Sequence, residues 1–254
     1  MNQASNPIGV FDSGVGGISV LQAFVRLLPR EHFIYYGDTA NAPYGTKETE
    51  EVIDCVRKVT DRLLARNIKA LAIACNTATG AAAYTLRKEL TIPVIGMEPA
   101  LKPAAEIRKK GEILVLATPL TLHQKKFNLL MEKYGEGAVR VPCTGLMELV
   151  ENENWDGAED YLKDIFALYD LRKVDAVVLG CTHYVFLKDR IRKMLPEHIV
   201  ITEGNEGTAR QLKRVLGREH LLQEEGDGRV ELETSGSPDD LEKMKRLLER
   251  EIPE

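Results

Sequence analysis

The chain has 254 residues, 44% of them hydrophobic and 29% charged, with a formal net charge of −5. That length accommodates one large domain or two small ones, and the acidic balance leaves no basic footprint for nucleic acid. No apolar run is long enough to cross a membrane, and residues 1–10 lack the basic flank and apolar core of a signal peptide, so the expected compartment is the cytoplasm.

In chain order, short apolar runs rich in β-branched residues fall at 8–12, 33–37, 70–74, 94–96, 113–117, 139–141, 176–179 and 199–202. Their length and lack of alternation suit strands buried on both faces of a parallel sheet. Helical period fills the gaps: Ile18, Leu21, Val25 and Leu28 share one face, and Val52, Val56, Val59 and Leu63 another. Strands alternating with helices predict an α/β fold with right-handed crossovers. Beyond them, an apparent strand at 230–233 and a helix near Pro238–Glu249 form a tail that must dock on the rest. Exposed loops are expected at 204–207 and 224–228, where glycine and polar residues cluster.

The sequence also echoes itself. Leu71-Ala72-Ile73-Ala74-Cys75-Asn76-Thr77 resembles Val177-Val178-Leu179-Gly180-Cys181-Thr182-His183, and Ile8-Gly9-Val10-Phe11-Asp12-Ser13 resembles Ile113-Leu114-Val115-Leu116-Ala117-Thr118. The pairing predicts two related α/β halves, about 1–97 and 98–205, with no low-complexity linker between them.

Ligands bind outside the carboxyl ends of the strands in open α/β sheets, which directs attention to four segments. One is Asp12-Ser13-Gly14-Val15-Gly16-Gly17. Its glycines permit a tight strand-to-helix turn. A dinucleotide fingerprint with Asp38 as ribose ligand fails, because Ser19 stands where the third glycine belongs and Asp12 would face the pyrophosphate. The others are Gly37-Asp38 with Pro43-Tyr44-Gly45 behind it, Ala74-Cys75-Asn76-Thr77-Ala78-Thr79, and Gly180-Cys181-Thr182-His183-Tyr184.

Four cysteines, at 55, 75, 143 and 181, form no Cys-x-x-Cys pair and suggest neither a zinc ribbon nor a disulfide framework. A lone cysteine at a strand end is often just a small buried side chain. Cys75 and Cys181 differ by occupying equivalent positions in the two echoed halves. Each precedes a candidate helix start whose N–H groups would favour a thiolate and lower its pKa. With the halves facing across a cleft, one sulfur addresses each side of a bound carbon. Cys55 shares a helical face with Val52 and Val59 and is expected in the core, and Cys143 is expected to be structural.

On these motifs the chain resembles the glutamate racemases, of the aspartate/glutamate racemase family, over nearly its whole length. The resemblance implies two pseudo-symmetric α/β domains with mainly parallel sheets and the active site in the cleft between them. It assigns 1–97 plus 206–254 to the first domain, with Asp12 and Cys75, and 98–205 to the second, with Cys181 and His183. It further implies a cofactor-independent, metal-free enzyme, usually a homodimer, that supplies D-glutamate for peptidoglycan. Cys75 and Cys181 would be the catalytic acid/bases, assisted by Asp12 and His183, with Glu151 orienting the histidine. Asp12, Ser13, Tyr44, Gly45, Asn76, Thr77, Thr118, Thr182 and His183 would hold substrate. Where the family pattern continues Cys-Thr-His-Tyr-Pro, this chain has Val185, and the turn loses the preset entry proline gives.

No motif sets Arg or Lys at a predicted strand end, so a dicarboxylate would be bound by neutral donors. The alternatives are a racemase for aspartate or another small amino acid, and a non-catalytic thiol-based binding or sensor protein.

Overall fold

The computed structural model describes residues 3–250. In the first half, β1 (Ile8–Asp12) is buried along its whole length and lies between β2 (His32–Gly37) and β3 (Ala70–Ile73), with β4 (Val94–Gly96) beyond β3. In the second, β5 (Glu112–Ala117) lies between β6 (Ala138–Pro142) and β7 (Val174–Leu179), with β8 (Val200–Glu203) beyond β7. Both sheets are parallel throughout. Written from one edge, the orders β4-β3-β1-β2 and β8-β7-β5-β6 are the same order. The echo in the sequence is therefore a repeat in topology, and the fold is a two-domain α/β arrangement.

The tail extends only the first sheet: β9 (Arg229–Thr234) pairs parallel with β2 and forms the edge. That edge is covered by charge, as Glu231 and Glu233 pair with Arg66 and Arg62, which discourages pairing with another chain. The helix Pro238–Glu249 follows, started by a reciprocal cap between Ser237 and Asp240 with Pro238 in the first turn.

Helix Thr49–Leu64 covers one face of the first sheet with Val52, Val56, Val59 and Leu63, all buried. Burying each contributes roughly 1.5–3 kcal/mol. On the other face, helix Ile18–Leu27 buries Ile18, Leu21 and Phe24 and packs against helices Asn205–Arg218 and Pro238–Glu249. Val25 is only half-buried.

Some boundaries differ from those expected. The segment 204–207 is not a loop: Asn205 opens the helix Asn205–Arg218, and Gly204 and Asn205 are buried. The glycines there are compatible with a helix that docks against the first half, so composition alone misleads. β7 starts earlier than expected, at Val174, directly after the 3₁₀ turn Leu171–Lys173 that Asp170 caps, and its Asp175 accepts from the N–H groups of Lys109, Lys110 and Gly111 ahead of β5. Residues 224–228 are exposed, as expected.

Candidate active site

β3 ends at Ile73, and two residues later Cys75 caps the fourteen-residue helix Asn76–Glu89, its Sγ accepting from the Ala78 N–H at 3.4 Å. Ser13 Oγ lies 3.7 Å from the same sulfur. Asp12, the last residue of β1, is fully buried: its Oδ1 accepts from Ser13 N–H at 2.8 Å, and its Oδ2 from Gly17 N–H and from Thr182 Oγ1 at 3.0 Å. Burial pushes the Asp12 carboxyl above the usual carboxylate range, although His183 and the surrounding donors pull it back.

The expected depression of the Cys75 thiol does not hold. Burial pushes it far above the ordinary cysteine range, and the Asp12 charge pushes the same way. One N–H at 3.4 Å does not outweigh the loss of water and a neighbouring carboxylate. Both effects favour the neutral form of the Cys75 thiol.

Cys181 has different neighbours. The chain beyond it forms a 3₁₀ turn, Thr182–Leu187, before helix Lys188–Met194, and no backbone N–H caps the sulfur. Val185, where the family pattern has proline, is buried in this turn. His183 Nδ1 lies 3.6 Å from Cys181 Sγ, while its Nε2 meets Glu151 Oε1 at 2.6 Å. Burial works against the imidazolium, but the hydrogen bonds and charges of Cys181 and Glu151 prevail and hold His183 well above its ordinary value. Burial also works against the Glu151 carboxylate, yet His183, the Val15 N–H at 2.8 Å and Lys243 hold it below the usual range. The two groups form an ion pair.

These contacts join the two halves. The glycine loop is the seam: a Cβ on Gly14 would come within 1.8 Å of Glu151 Oε1, and one on Gly16 within 2.3 Å of His183 Nδ1. Beside it, Thr77 Oγ1 of the first half lies 3.1 Å from Thr118 Oγ1 and 2.9 Å from Thr121 Oγ1 of the second.

Enclosed between the halves is a cavity of about 10 Å³ lined by Ser13, Gly45, Cys75, Asn76, Thr77, Thr118, Met147, Gly180, Cys181, Thr182 and His183. That is room for about one water, so a larger ligand requires the halves to part. No Arg or Lys lines it. Asn76 is buried against it with neither amide atom bonded to the protein. Such groups cost about 1–3 kcal/mol each unless a partner is supplied, which marks the amide as available to a ligand. Among the described residues, no group of three or more His, Cys, Asp or Glu side chains is arranged to hold a metal ion.

Three of the expected residues, Asp12, Tyr44 and Glu151, stand apart from the cavity surface. The buried Tyr44 hydroxyl donates to Asp38 Oδ2 at 2.6 Å, so its neighbour Gly45 lines the cavity instead. Glu151 meets the cavity lining through its hydrogen bond to His183. Cys55 is half-buried beside the first core, and Cys143 is buried beyond β6, its Sγ donating to the Val141 carbonyl at 3.4 Å. A larger groove of about 1100 Å³, where the chain crosses between the halves, contains neither Cys75 nor Cys181.

Three residues here lie outside the sequence motifs. Met147 lines the cavity from helix Leu146–Glu151. Tyr35 donates to the Gly14 carbonyl at 2.7 Å and fixes the glycine loop, and its only clue is that a tyrosine in a buried strand needs a hydroxyl partner. Thr121 is foreshadowed by Thr118-x-x-Thr121, since Thr118 caps the helix Pro119–His123 through the Thr121 N–H.

Two repeated parallel α/β halves closed over a thiol-lined cavity form an enzyme of the cleft type. Residues 8–212 match the Asp/Glu/Hydantoin racemase family, and the chain belongs to that family; it is an isomerase. It is 49% identical over 229 residues to a glutamate racemase of Clostridium botulinum (strain Loch Maree / Type A3), covering 89% of each chain. In structure it is similar to the glutamate racemase isoform RacE1 of Bacillus anthracis, with a TM-score of 0.86 and 34% identity over 97% of this chain and 95% of that one. The Escherichia coli glutamate racemase in complex with L-glutamate and activator UDP-MurNAc-ala is 30% identical, with a TM-score of 0.83 and 95% of each chain covered.

Proposed function

We propose that this chain interconverts L- and D-glutamate without a cofactor, by proton transfer between two opposed cysteines. The observation that carries the reading is that Cys75 and Cys181, from equivalent ends of the two halves, line one closed cavity, each beside its own proton-handling group. The similarity to glutamate racemases over most of the chain supports glutamate as the substrate.

The α-hydrogen of an amino acid is a weak acid, and charge developing on the carbon requires preorganised donors. Ser13, Asn76, Thr77, Thr118 and Thr182 offer neutral hydrogen bonds to the carboxylates in a space from which water is largely excluded. One sulfur, as thiolate, takes the proton from one face of the α-carbon. The other, as thiol, delivers its proton to the opposite face, and the two protonation states have then exchanged. Asp12 serves the Cys75 side of that exchange. His183, held by Glu151, gives a proton to Cys181 or accepts one from it.

Residues 1–97 plus 206–254 and 98–205 are then the two domains that part to admit substrate. Pairing of β9 with β2 supports assigning the tail to the first. Supply of D-glutamate to peptidoglycan, assembly as a homodimer and a cytoplasmic location complete the proposal. The last is supported by four free cysteines, since disulfides are rare in reducing compartments; among the described residues no helix is long and apolar enough to cross a membrane.

The test is product chirality. Purified protein given L-glutamate without added cofactor should form D-glutamate up to an equal mixture. Faster turnover of L-aspartate would reassign the substrate, and binding of glutamate without turnover would make the chain a binding protein.

A further inference from the structure

Glu151 is the last residue of helix Leu146–Glu151, and the chain then turns sharply. Glu153 adopts a left-handed backbone (φ 51°), which a residue with a side chain seldom takes. Hydrogen bonds from Asn154 N–H to the Leu149 carbonyl and from Glu153 N–H to that of Val150 close the turn. Six helical residues ending so tightly are a slender mount for a carboxylate that must stay 2.6 Å from His183.

The mount is braced from the opposite half. Helix Pro238–Glu249 is fastened to the first domain by buried Met244 and Leu247 and by the Gln22 amide, which donates to the carbonyls of Leu247 and Leu248. From its other side, residues at helical spacing reach across. Lys243 Nζ donates to the Glu151 carbonyl at 2.6 Å, and Arg246 pairs with Glu153 at 2.7 Å. Just past the helix, Arg250 lies 4.7 Å over the Trp155 ring and donates to the Phe186 carbonyl. Lys243 thus supplies a donor to a helix-end carbonyl and a cation to the negative end of the helix.

We propose that Lys243 is a positioning residue for the Cys181 side of the reaction: it locks the last turn of helix Leu146–Glu151, so that Glu151 holds His183 against Cys181 only while the two domains are closed. The inference rests on the proposed function and adds to it a dependence of one thiol, but not the other, on the tail helix.

Enantiomers have equal free energies, so loss of the brace must lower kcat/KM equally in both directions. The isotope effects need not change equally. With Lys243→Met, transfers through Cys181 slow while those through Cys75 do not. The effect of α-deuterium should therefore rise for the enantiomer whose proton Cys181 removes and fall for the other, whose solvent isotope effect should rise.

The parent is measured first, with α-deuterated L- and D-glutamate. If it does not racemise, the functional reading has failed and this inference with it. Given a racemising parent, Lys243→Met should lower kcat about 10- to 100-fold, as expected of a misplaced catalytic group, with little change in KM. Lys243→Arg should recover most of the loss. Lys245→Ala, which removes an exposed cation of the same helix paired, among the described residues, with Glu242, should behave as the parent. Unchanged kcat in Lys243→Met, or a loss that leaves both isotope effects where they were, would show that Lys243 is merely structural and overturn the proposal. A Lys243→Met protein too unstable to assay would move the same measurements to Lys243→Gln, with the same two outcomes.

Discussion

Cys75 and Cys181 end equivalent strands, β3 and β7, yet the protein holds them differently. Cys75 caps a long helix, with Ser13 and the buried Asp12 carboxyl for company. Cys181 heads a 3₁₀ turn and depends on an imidazole two residues along, itself clamped by a carboxylate from another helix. The repeat delivers two sulfurs to one cavity; the neighbours then set a carboxyl–thiol pair on one side and a thiol–imidazolium–carboxylate chain on the other. Racemisation needs the sulfurs equivalent in reach. It does not need them equivalent in how their protons are managed.

The largest effect expected is loss of either sulfur. Cys75→Ala and Cys181→Ala should each lower racemisation by at least the 10²- to 10⁴-fold that a positioned acid or base contributes, with the fold retained by circular dichroism. Near-parental turnover by either variant would leave one thiol without a role. Gly14→Ala should be nearly as damaging, because its new Cβ would displace Glu151, and the loss should fall on kcat.

A smaller effect separates the two sides by pH. If the sulfurs act as a coupled acid and base, kcat/KM should be bell-shaped. Burial and Asp12 hold Cys75 above the ordinary thiol value, so the alkaline limb should lie above about 8.5. Asp12→Asn removes the neighbouring charge and should move that limb toward acid. An unmoved limb would detach Asp12 from Cys75.

Stability should show the other side. Glu151 sits below its ordinary value, so its contribution is complete above about 4.5 and is lost as pH falls through the lower folded value. His183 sits above its ordinary value, so its contribution is complete below about 6.5 and is lost as pH rises through the higher folded value. The destabilisation caused by Glu151→Gln, read as Tm against pH, should thus be greatest between about 4.5 and 6.5. A charged hydrogen bond of this kind contributes about 1.5–3 kcal/mol. A pH-independent loss would mean that no ion pair forms.

The smallest effect belongs to the remaining cysteines. Cys55→Ala and Cys143→Ala should cost about 1 kcal/mol or less in packing and leave kcat within twofold, measured side by side with the Cys75 and Cys181 variants.

The sequence displayed the sheets well, because strands buried on both faces must be written in apolar residues. It also displayed the repeat, since Cys75 and Cys181 close runs of the same apolar character. What it hid is the part made by contact across the cleft. Nothing in Tyr35 or Met147 announces a neighbour more than twenty residues away. Glu151 stood among Glu148 and Glu153 in a run that reads equally as solvated surface, and only the resemblance singled it out. The helix start after Cys75 was legible, but its effect on the thiol was misjudged: local sequence shows the N–H donors and cannot show burial or the Asp12 charge. For Tyr44 the sequence marked the segment, while the fold turned its hydroxyl to Asp38 and left Gly45 at the cavity.

The most direct test of opposed sulfurs follows the hydrogen itself. In heavy water, with L-glutamate as the starting material, the D-glutamate formed at low conversion should carry deuterium at its α-carbon, because the sulfur that delivers a proton is not the one that removed it. The L-glutamate that remains should carry little. Proton NMR of the two enantiomers after chiral separation reads both. Early D-glutamate that retained the original α-hydrogen would mean a single group working both faces, and would contradict the two-cysteine cleft even if Cys75 and Cys181 both proved essential.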